Sequence, residues 1–243
     1  ADEETILALA EAVYDLDADI IGFQEIRRRG WFDNLMSYLP DYGYLIAQQS
    51  SFMDNAIIYK LDRITLTGMK EPFAWDDYNF AGRPPLQGDF RYTFGNTEYD
   101  FTVMNIHMKC CDSGLLRRKR AARELHDYSL DLLDTGTKNL IILGDWNDDL
   151  RDEPGDHCFE PFLANPEFHF ANVPLLNDDN NVSYPKEPYR SFLDHILVSR
   201  EFLSPDSDYH VATLSVENWF GSFEQYEDLI SDHKPVMVSI PHP

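Results

Sequence analysis

The stretch NLIILGDWN, residues 139–147, decides the fold class of this chain. Its run of four apolar residues is typical of a strand that is covered on both faces. The run ends in two polar residues, Asp145 and Asn147, on either side of Trp146. Polar side chains at a strand end are held rigidly and can line a crevice. The stretch therefore predicts a buried strand that delivers a carboxylate and an amide to a functional site.

Four other polar clusters lie at or beside the end of an apolar strand in the same way, namely Gln24-Glu25, Asn105-Ile106-His107, Leu193-Asp194-His195 and Ser231-Asp232-His233. One such cluster is common and has little meaning alone. Their repetition along the chain predicts that carboxylates, imidazoles and amides from distant segments meet at one site.

Helices and strands alternate between these clusters. Apolar residues at three- and four-residue steps predict helices over 5–16 and 115–133, with a short helix around 31–39. Gly95-Asn96 between two alternating runs predicts a hairpin. Residues 152–188, rich in Pro, Asn and Asp, are predicted to form a long ordered loop. The predicted strands cover 19–25, 44–47, 55–59, 90–94, 99–106, 139–143, 192–199, 211–216 and 236–240.

Size and composition fit one large domain, with 243 residues of which 43% are hydrophobic. No apolar run approaches the roughly 20 residues that a membrane-spanning helix needs. The formal net charge of −23 repels polyanions at long range, so a phosphate substrate has to be attracted by a local charge such as a bound cation. Cys158 either pairs with Cys110 or Cys111, which would suit an oxidising compartment, or all three thiols are unpaired.

In type and order, the clusters resemble the motifs of the endonuclease/exonuclease/phosphatase superfamily, whose fold is exemplified by pancreatic deoxyribonuclease. Residues 144–147, Gly-Asp-Trp-Asn, resemble the family's Gly-Asp-Phe-Asn, and residues 231–233 resemble its terminal Ser-Asp-His. The resemblance spans nearly the whole chain. It implies an α+β fold of the DNase I type, a four-layer α-β-β-α sandwich in which two mixed β-sheets pack face to face. We expect one domain over residues 1–243, with the family's first strand, which ends in a metal-binding Asn, upstream of residue 1.

The resemblance also implies a metal site and a catalytic group. Glu25 and Asp232 would bind Mg²⁺, with Mn²⁺ or Ca²⁺ as alternatives, since carboxylate oxygens suit these hard cations. Asp194 would orient His233 and stabilise its protonated form. Asp145 would orient or deprotonate the attacking water. The alternative for Glu25 is an ion pair with Arg27 or Arg28.

The remaining candidates would contact the substrate. His107 and the amide of Asn147 would each donate a hydrogen bond to a phosphoryl oxygen, and the guanidinium of Arg83 suits two such oxygens. Asn55 would line the same crevice. The alternative for Asp145 and Asn147 is an Asx turn that closes the strand, and the alternative for Arg83 is a surface ion pair with residues 76 or 77.

The function that we expect is hydrolysis of phosphodiester bonds by a Mg²⁺-dependent, secreted or periplasmic monomer that acts on a phosphate ester, with nucleic acid as the leading substrate. A phosphomonoesterase or a lipid-headgroup phosphodiesterase of the same superfamily is the first alternative, because the site attacks phosphorus and the surrounding loops choose the substrate. A non-catalytic binding module is the second. The strong acidity favours small or weakly held substrates over an extended grip on duplex DNA.

Overall fold

The computed structural model describes residues 2–50 and 52–240. The helices are α1 (Asp2–Leu16), α2 (Arg29–Ser37), α3 (Leu115–Asp134), α4 (Glu160–Leu163), α5 (Glu217–Phe220) and α6 (Phe223–Leu229). The strands are β1 (Ile20–Ile26), β2 (Tyr42–Ile46), β3 (Asp54–Lys60), β4 (Ile64–Lys70), β5 (Leu86–Phe94), β6 (Thr97–His107), β7 (Leu140–Asp145), β8 (Phe168–Phe170), β9 (Asp194–Ser199), β10 (His210–Thr213) and β11 (Val236–Ser239).

The largest sheet has six strands in the order β4-β5-β6-β7-β9-β8. The predicted hairpin joins β5 and β6, with Phe94 opposite Thr97. Strands β6 and β7 run parallel, and the chain passes from one to the other through α3. Parallel neighbours need such a crossover, and the crossover places the ends of β6 and β7 at the same edge of the sheet.

A second layer packs on one face of this sheet and consists of two smaller antiparallel sheets, β1-β3-β2 and β10-β11. Two residues of β7 connect them. Ile141 and Leu143 pack against the apolar cluster that contains Ile57 of β3, and they also pack, as Val236 of β11 does, against the cluster that contains Ile196 of β9. The two small sheets therefore lie on the same side of the large sheet, one on each side of the line of β7.

Helices cover both outer faces. In β3, Ile57 points toward the large sheet and its neighbour Ile58 toward α1 and α2, as expected from the two-residue alternation of a strand. On the opposite side, Ala121 and Leu125 of α3 pack on Met104 of β6. The layers are thus helix, sheet, sheet, helix, and the predicted α+β sandwich is confirmed.

Within the described part of the chain, β1 pairs only with β3, and β11 only with β10. Each of these two strands therefore has one edge without a neighbour. The strand that we expected upstream of residue 1 lies outside the described residues and stays a prediction.

The sequence analysis missed or misplaced several elements. Strand β4 was not predicted, and the segment 152–188 is not a plain loop, because it contains α4, the edge strand β8 and two short 3₁₀ turns. A strand of three residues is too short to show an alternating pattern, and β4 contains Gly68 at an irregularity in its pairing with β5. Of the described helices, none combines the length and the apolar character needed to cross a membrane.

Candidate active site

Three of the predicted site residues lie in one row across the large sheet. His107 ends β6 and is paired in register with Asp145, which ends β7 and is paired in turn with Asp194, the first residue of β9. Side chains at paired positions point to the same face of a sheet, so register alone brings these three together. The Nε2 atom of His107 lies 3.4 Å from Oδ2 of Asp145.

A hydrogen-bonded pair of charges closes the row. The Nδ1–H of His233 donates to Oδ2 of Asp194 over 2.7 Å, although 39 residues separate them. Burial by itself would lower the pKa of His233, but the Asp194 carboxylate outweighs burial and the pKa rises to about 10. Burial would likewise raise the pKa of Asp194, but the charge of His233, with a hydrogen bond from Ser183, holds it below the usual value. The pair is therefore imidazolium and carboxylate at neutral pH.

Asp145 is almost completely buried, and its carboxylate is held at both oxygens. The backbone N–H of Asn147 donates to Oδ1 over 2.8 Å, and the side-chain amide of Asn147 donates to Oδ2 over 2.7 Å. Burial raises the pKa of Asp145 to about 7, although the charge of His233 opposes this rise. The Asx turn considered for Asn147 is present, and this turn fixes the direction of the carboxylate.

The turn after β7 requires its sequence. Gly144 has a φ of +130°, and a Cβ atom there would lie 2.1 Å from the carbonyl oxygen of Ile106. Trp146 is completely buried and packs edge-on against Phe162 and Phe170. Glycine allows β7 to lie close to β6, and the indole anchors the turn, so Asp145 lies between two fixed residues and Asn147 directly follows the second.

Glu25 reaches the same site through an irregularity in β1. The pairing of β1 with β3 shifts register between Phe23 and Ile26, and Glu25 has a φ of +60°. Such a bulge redirects a side chain, and here it leaves Oε1 of Glu25 3.9 Å from Nε2 of His107. Arg27 lies 3.5 Å from the other carboxylate oxygen, but both side chains are largely exposed and such pairs contribute little.

Arg83 is buried beside this row and does not form the alternative surface ion pair with residues 76 or 77. Its Nε donates to the carbonyl oxygen of His107 over 3.1 Å, and a terminal nitrogen donates to that of Met108 over 2.7 Å. The ring of Phe52 lies 5.3 Å from the guanidinium carbon. Burial lowers the pKa of Arg83, while Asp145 and Glu25 oppose this shift. The structure thus places the guanidinium of Arg83 near the carboxylates of Asp145 and Glu25.

These motifs and their convergence point to one family. A model of the Endonuclease/Exonuclease/phosphatase family matches residues 1–233. The chain belongs to this family. The family name covers nucleases and phosphatases, which act on phosphate esters.

Solved structures share the fold. A mannosyl-6-phosphatase from Bacteroides thetaiotaomicron is 19% identical, with a TM-score of 0.69 over 100% of this chain and 92% of that chain. TDP2 from D. rerio, complexed with a single-strand DNA product, is 14% identical, with a TM-score of 0.67 over 96% of this chain and 90% of that chain. The human Nocturnin catalytic domain, with bound sulfate, is 14% identical, with a TM-score of 0.64 over 98% of this chain and 87% of that chain. A comparison with curated protein sequences gave no match.

His107 faces the carboxylates as a neutral ring. Burial, with the nearby charges of Arg83 and His233, lowers the pKa of His107 to about 3. Its Nε2 points toward Asp145 and Glu25, while Nδ1 is buried and has no hydrogen-bond partner among the described residues. The proton of the neutral ring therefore belongs on Nε2, where it can be donated.

Asn105 is a residue whose role the sequence analysis missed. Its amide nitrogen donates to the carbonyl oxygens of Phe23 and Ala56, each over 2.8 Å, and its oxygen accepts from the amide of Gln24 over 2.7 Å. It thereby ties β6 to β1 and β3, and so ties the row on the large sheet to Glu25. An amide in the apolar interior of a strand was the available signal. Asn55 donates to the carbonyl oxygen of Asn105 over 3.4 Å, and its own buried oxygen has no hydrogen-bond partner within the described segments.

Within the basic run 117–120, Arg120 is exposed, but Arg118 does not face solvent. Arg118 is buried and forms an ion pair of 2.8 Å with Asp148, which is also buried. Arg117 stacks on the ring of Tyr78 at 4.2 Å. These residues therefore hold the loops around the site together.

The donor set of the site fits a hard divalent cation. Asp145, Asp194 and His233 each offer an atom of a metal-binding type within 4.8 Å of one another, but His233 is protonated and bonded to Asp194, so the ligands that this group supplies are the carboxylate oxygens. Glu25 lies 3.9 Å from His107 and Asp232 directly precedes His233, so both predicted ligands adjoin this group, but neither is one of its three members. A site dominated by carboxylate oxygens suits Mg²⁺, Mn²⁺ or Ca²⁺. No cysteine is part of this group.

Proposed function

We propose that this protein is a Mg²⁺-dependent phosphoesterase that hydrolyses phosphodiester bonds, with nucleic acid as its leading substrate. One observation supports this more than any other: His107, Asp145 and Asp194 lie in one row, and the 2.7 Å contact between His233 and Asp194 closes it. Hydrolysis at phosphorus needs a water that is oriented for attack and donors that stabilise charge on the phosphoryl oxygens. The row contains groups for both tasks.

Glu25 and Asp232 are the proposed cation ligands. The bound cation would neutralise charge on the phosphoryl group during the reaction. Glu25 is about half exposed, so a cation can reach it without a rearrangement of the core. Asp145 lies deeper and is fixed by Asn147, which suits it to orient the attacking water rather than to act as a flexible ligand.

The donors are His107, His233, Arg83 and Asn147. His107 donates through Nε2, and His233, held by Asp194, donates through the nitrogen that faces away from this carboxylate. Arg83 provides a fixed positive charge beside them. The two amide hydrogens of Asn147 bond to Asp145 and, over 3.2 Å, to the carbonyl oxygen of Met108. Donation from Asn147 to the substrate would therefore replace the longer of these bonds. Asn55 is proposed to line the same crevice.

A phosphomonoesterase is the second candidate. The net charge of −23 opposes an extended grip on a polyanion, and a structure with a TM-score of 0.69 is that of a mannosyl-6-phosphatase. Small phosphate esters meet the same site with less long-range repulsion. A lipid-headgroup phosphodiesterase uses the same chemistry and is distinguished by substrate alone.

The test compares a chromogenic phosphodiester with the corresponding phosphomonoester, in Mg²⁺ and in chelator. We expect metal-dependent hydrolysis that is lost in Asp145→Ala and in His233→Ala. Asp41→Ala and His210→Ala, which change exposed residues of the same types, are matched controls and should keep full activity. Retained hydrolysis in both site variants would refute the catalytic assignment. No hydrolysis of any ester by the native protein would favour the non-catalytic binding module.

The substrate is then identified by comparing the rates at which the protein hydrolyses plasmid DNA, RNA, inositol phosphates, sphingomyelin and sugar 6-phosphates. A preference for DNA or RNA supports the nuclease. A preference for sugar or inositol phosphates supports the phosphomonoesterase, and hydrolysis of sphingomyelin supports the lipid-headgroup enzyme.

A further inference from the structure

Two thiols lie side by side in the segment that follows β6, a few residues beyond His107. Cys110 is partly buried, Cys111 is exposed, and their Sγ atoms are 2.8 Å apart. This separation is about 0.8 Å longer than a disulfide bond. The ammonium of Lys109 donates to Sγ of Cys110 over 3.3 Å. Neither cysteine has a part in the proposed hydrolysis, so this cluster requires its own explanation.

The backbone of this segment is held on both sides of the thiols. Arg118 donates to the carbonyl oxygens of Lys109 and Cys111 over 2.9 and 2.7 Å. The preceding carbonyl, that of Met108, accepts from Arg83 and Asn147. With the carbonyl groups of Met108, Lys109 and Cys111 held in this way, the backbone keeps the two thiols close together.

The two thiols have different chemistry. A hydrogen bond from Cys111 and the ammonium of Lys109 lower the pKa of Cys110 below that of an ordinary thiol, against the effect of burial. The same contact with Cys110 raises the pKa of Cys111. Cys110 is thus favoured as the thiolate nucleophile, and Cys111 is favoured as the thiol that stays protonated.

We propose that Cys110 and Cys111 form a reversible thiol–disulfide site that is oxidised to a vicinal disulfide by a low-molecular-weight disulfide. The Cys110 thiolate attacks one sulfur of the reagent, forms a mixed disulfide and releases one thiolate. Cys111 then loses its proton to solvent, attacks Sγ of Cys110 and releases the second thiolate. The protein loses two electrons and two protons, and the reagent is reduced to two thiols.

The bond would be easy to reduce. Adjacent Cα atoms across a trans peptide lie about 3.8 Å apart, below the roughly 4.4–6.8 Å at which disulfides usually form. Strained, exposed disulfides are the labile ones, so the site should follow the thiol–disulfide balance of its surroundings. Cys158 takes no part, because it is completely buried and its pKa is raised well above the ordinary value, chiefly by burial.

The experiment exposes the folded native protein to oxidised glutathione and follows intact mass and free thiols. We expect loss of the two thiol hydrogens, no retained glutathione, a peptide linking Cys110 to Cys111, and full reversal by dithiothreitol. In Cys111→Ser, the second step is blocked, so one glutathione should accumulate on Cys110. In Cys110→Ser, the reaction of Cys111 should be slower than that of Cys110 in Cys111→Ser, since the ammonium of Lys109 donates to Sγ of Cys110 and not to that of Cys111.

The controls separate chemistry from unfolding. Both serine variants change partly or fully exposed sulfurs and should keep the native melting temperature. Cys158 should react only after denaturation. A stable glutathione adduct on the native protein, a bond that includes Cys158, or no glutathione adduct on Cys110 in Cys111→Ser would each overturn the proposal.

Discussion

Replacing Asn105 with aspartate should destabilise the protein strongly, although the two side chains have nearly the same shape. The amide nitrogen that donates to the carbonyl oxygens of Phe23 and Ala56 becomes a carboxylate oxygen that faces both of them. Each lost buried hydrogen bond costs about 1–3 kcal/mol, so two cost about 2–6 kcal/mol. The total stability of a domain is about 5–15 kcal/mol, so the loss is a large part of it.

Urea unfolding followed by tryptophan fluorescence measures this loss, because Trp146 is completely buried in the native protein. The control is Asn218→Asp, which makes the same change of charge at an exposed position. The pH dependence adds a second test. The buried acid should be more easily protonated in the folded protein than in the unfolded chain, so Asn105→Asp should be least destabilised near pH 4 and lose stability as the pH rises. A difference below about 1 kcal/mol between Asn105→Asp and Asn218→Asp would show that this amide does not hold the two layers together.

Three further predictions concern the cation, the charge pair and a buried histidine. Mg²⁺ at about 100 times its dissociation constant should stabilise the protein by about 2.7 kcal/mol. Glu25→Gln and Asp232→Asn should each reduce the increase in melting temperature that Mg²⁺ causes. An increase equal to that of the native protein in both variants would exclude these residues as ligands. Asp194→Asn removes a charge-assisted hydrogen bond worth about 1.5–3 kcal/mol, so kcat/KM should fall by about 10- to 150-fold in initial-rate assays. His195 accepts from the Asn172 amide and donates to a carbonyl oxygen, and burial lowers its pKa, so the folded protein prefers the neutral ring. The contribution of His195 to stability should therefore fall as the pH drops below about 6.5, the unfolded value, so thermal melts of Asn172→Asp should lose less stability on acidification than those of the native protein.

The row of site residues was predictable because it depends on strand ends. An apolar run that stops at Asp145 or His107 marks the sheet edge in sequence, and parallel pairing of β6 with β7 places these two ends together. The Asx turn at Asp145 and Asn147 was considered from the sequence and is present, whereas the close approach of Ile106 to Gly144 became visible only in the structure. In such cases one local pattern specifies both the backbone and the direction of the side chain.

Other features could not be predicted because they depend on pairs of distant segments. The bulge that redirects Glu25 exists only in the pairing of β1 with β3, and nothing in Gln24-Glu25 by itself marks it. The partners of Asn105 lie 82 and 49 residues away in sequence. Arg118 belongs to a run of charged residues on α3, but its partner Asp148 is in the loop that follows β7. Short elements such as β8 have too few residues to show any period.

Glu25 and Asn147 both adopt positive φ angles, of +60° and +54°, a region that glycine occupies more readily. An engineer who screened this protein for heat resistance alone would thus be drawn toward glycine at two positions where a side chain is needed for the proposed chemistry. Variant libraries designed for thermal stability should leave both residues unchanged and should measure catalytic activity as well as stability.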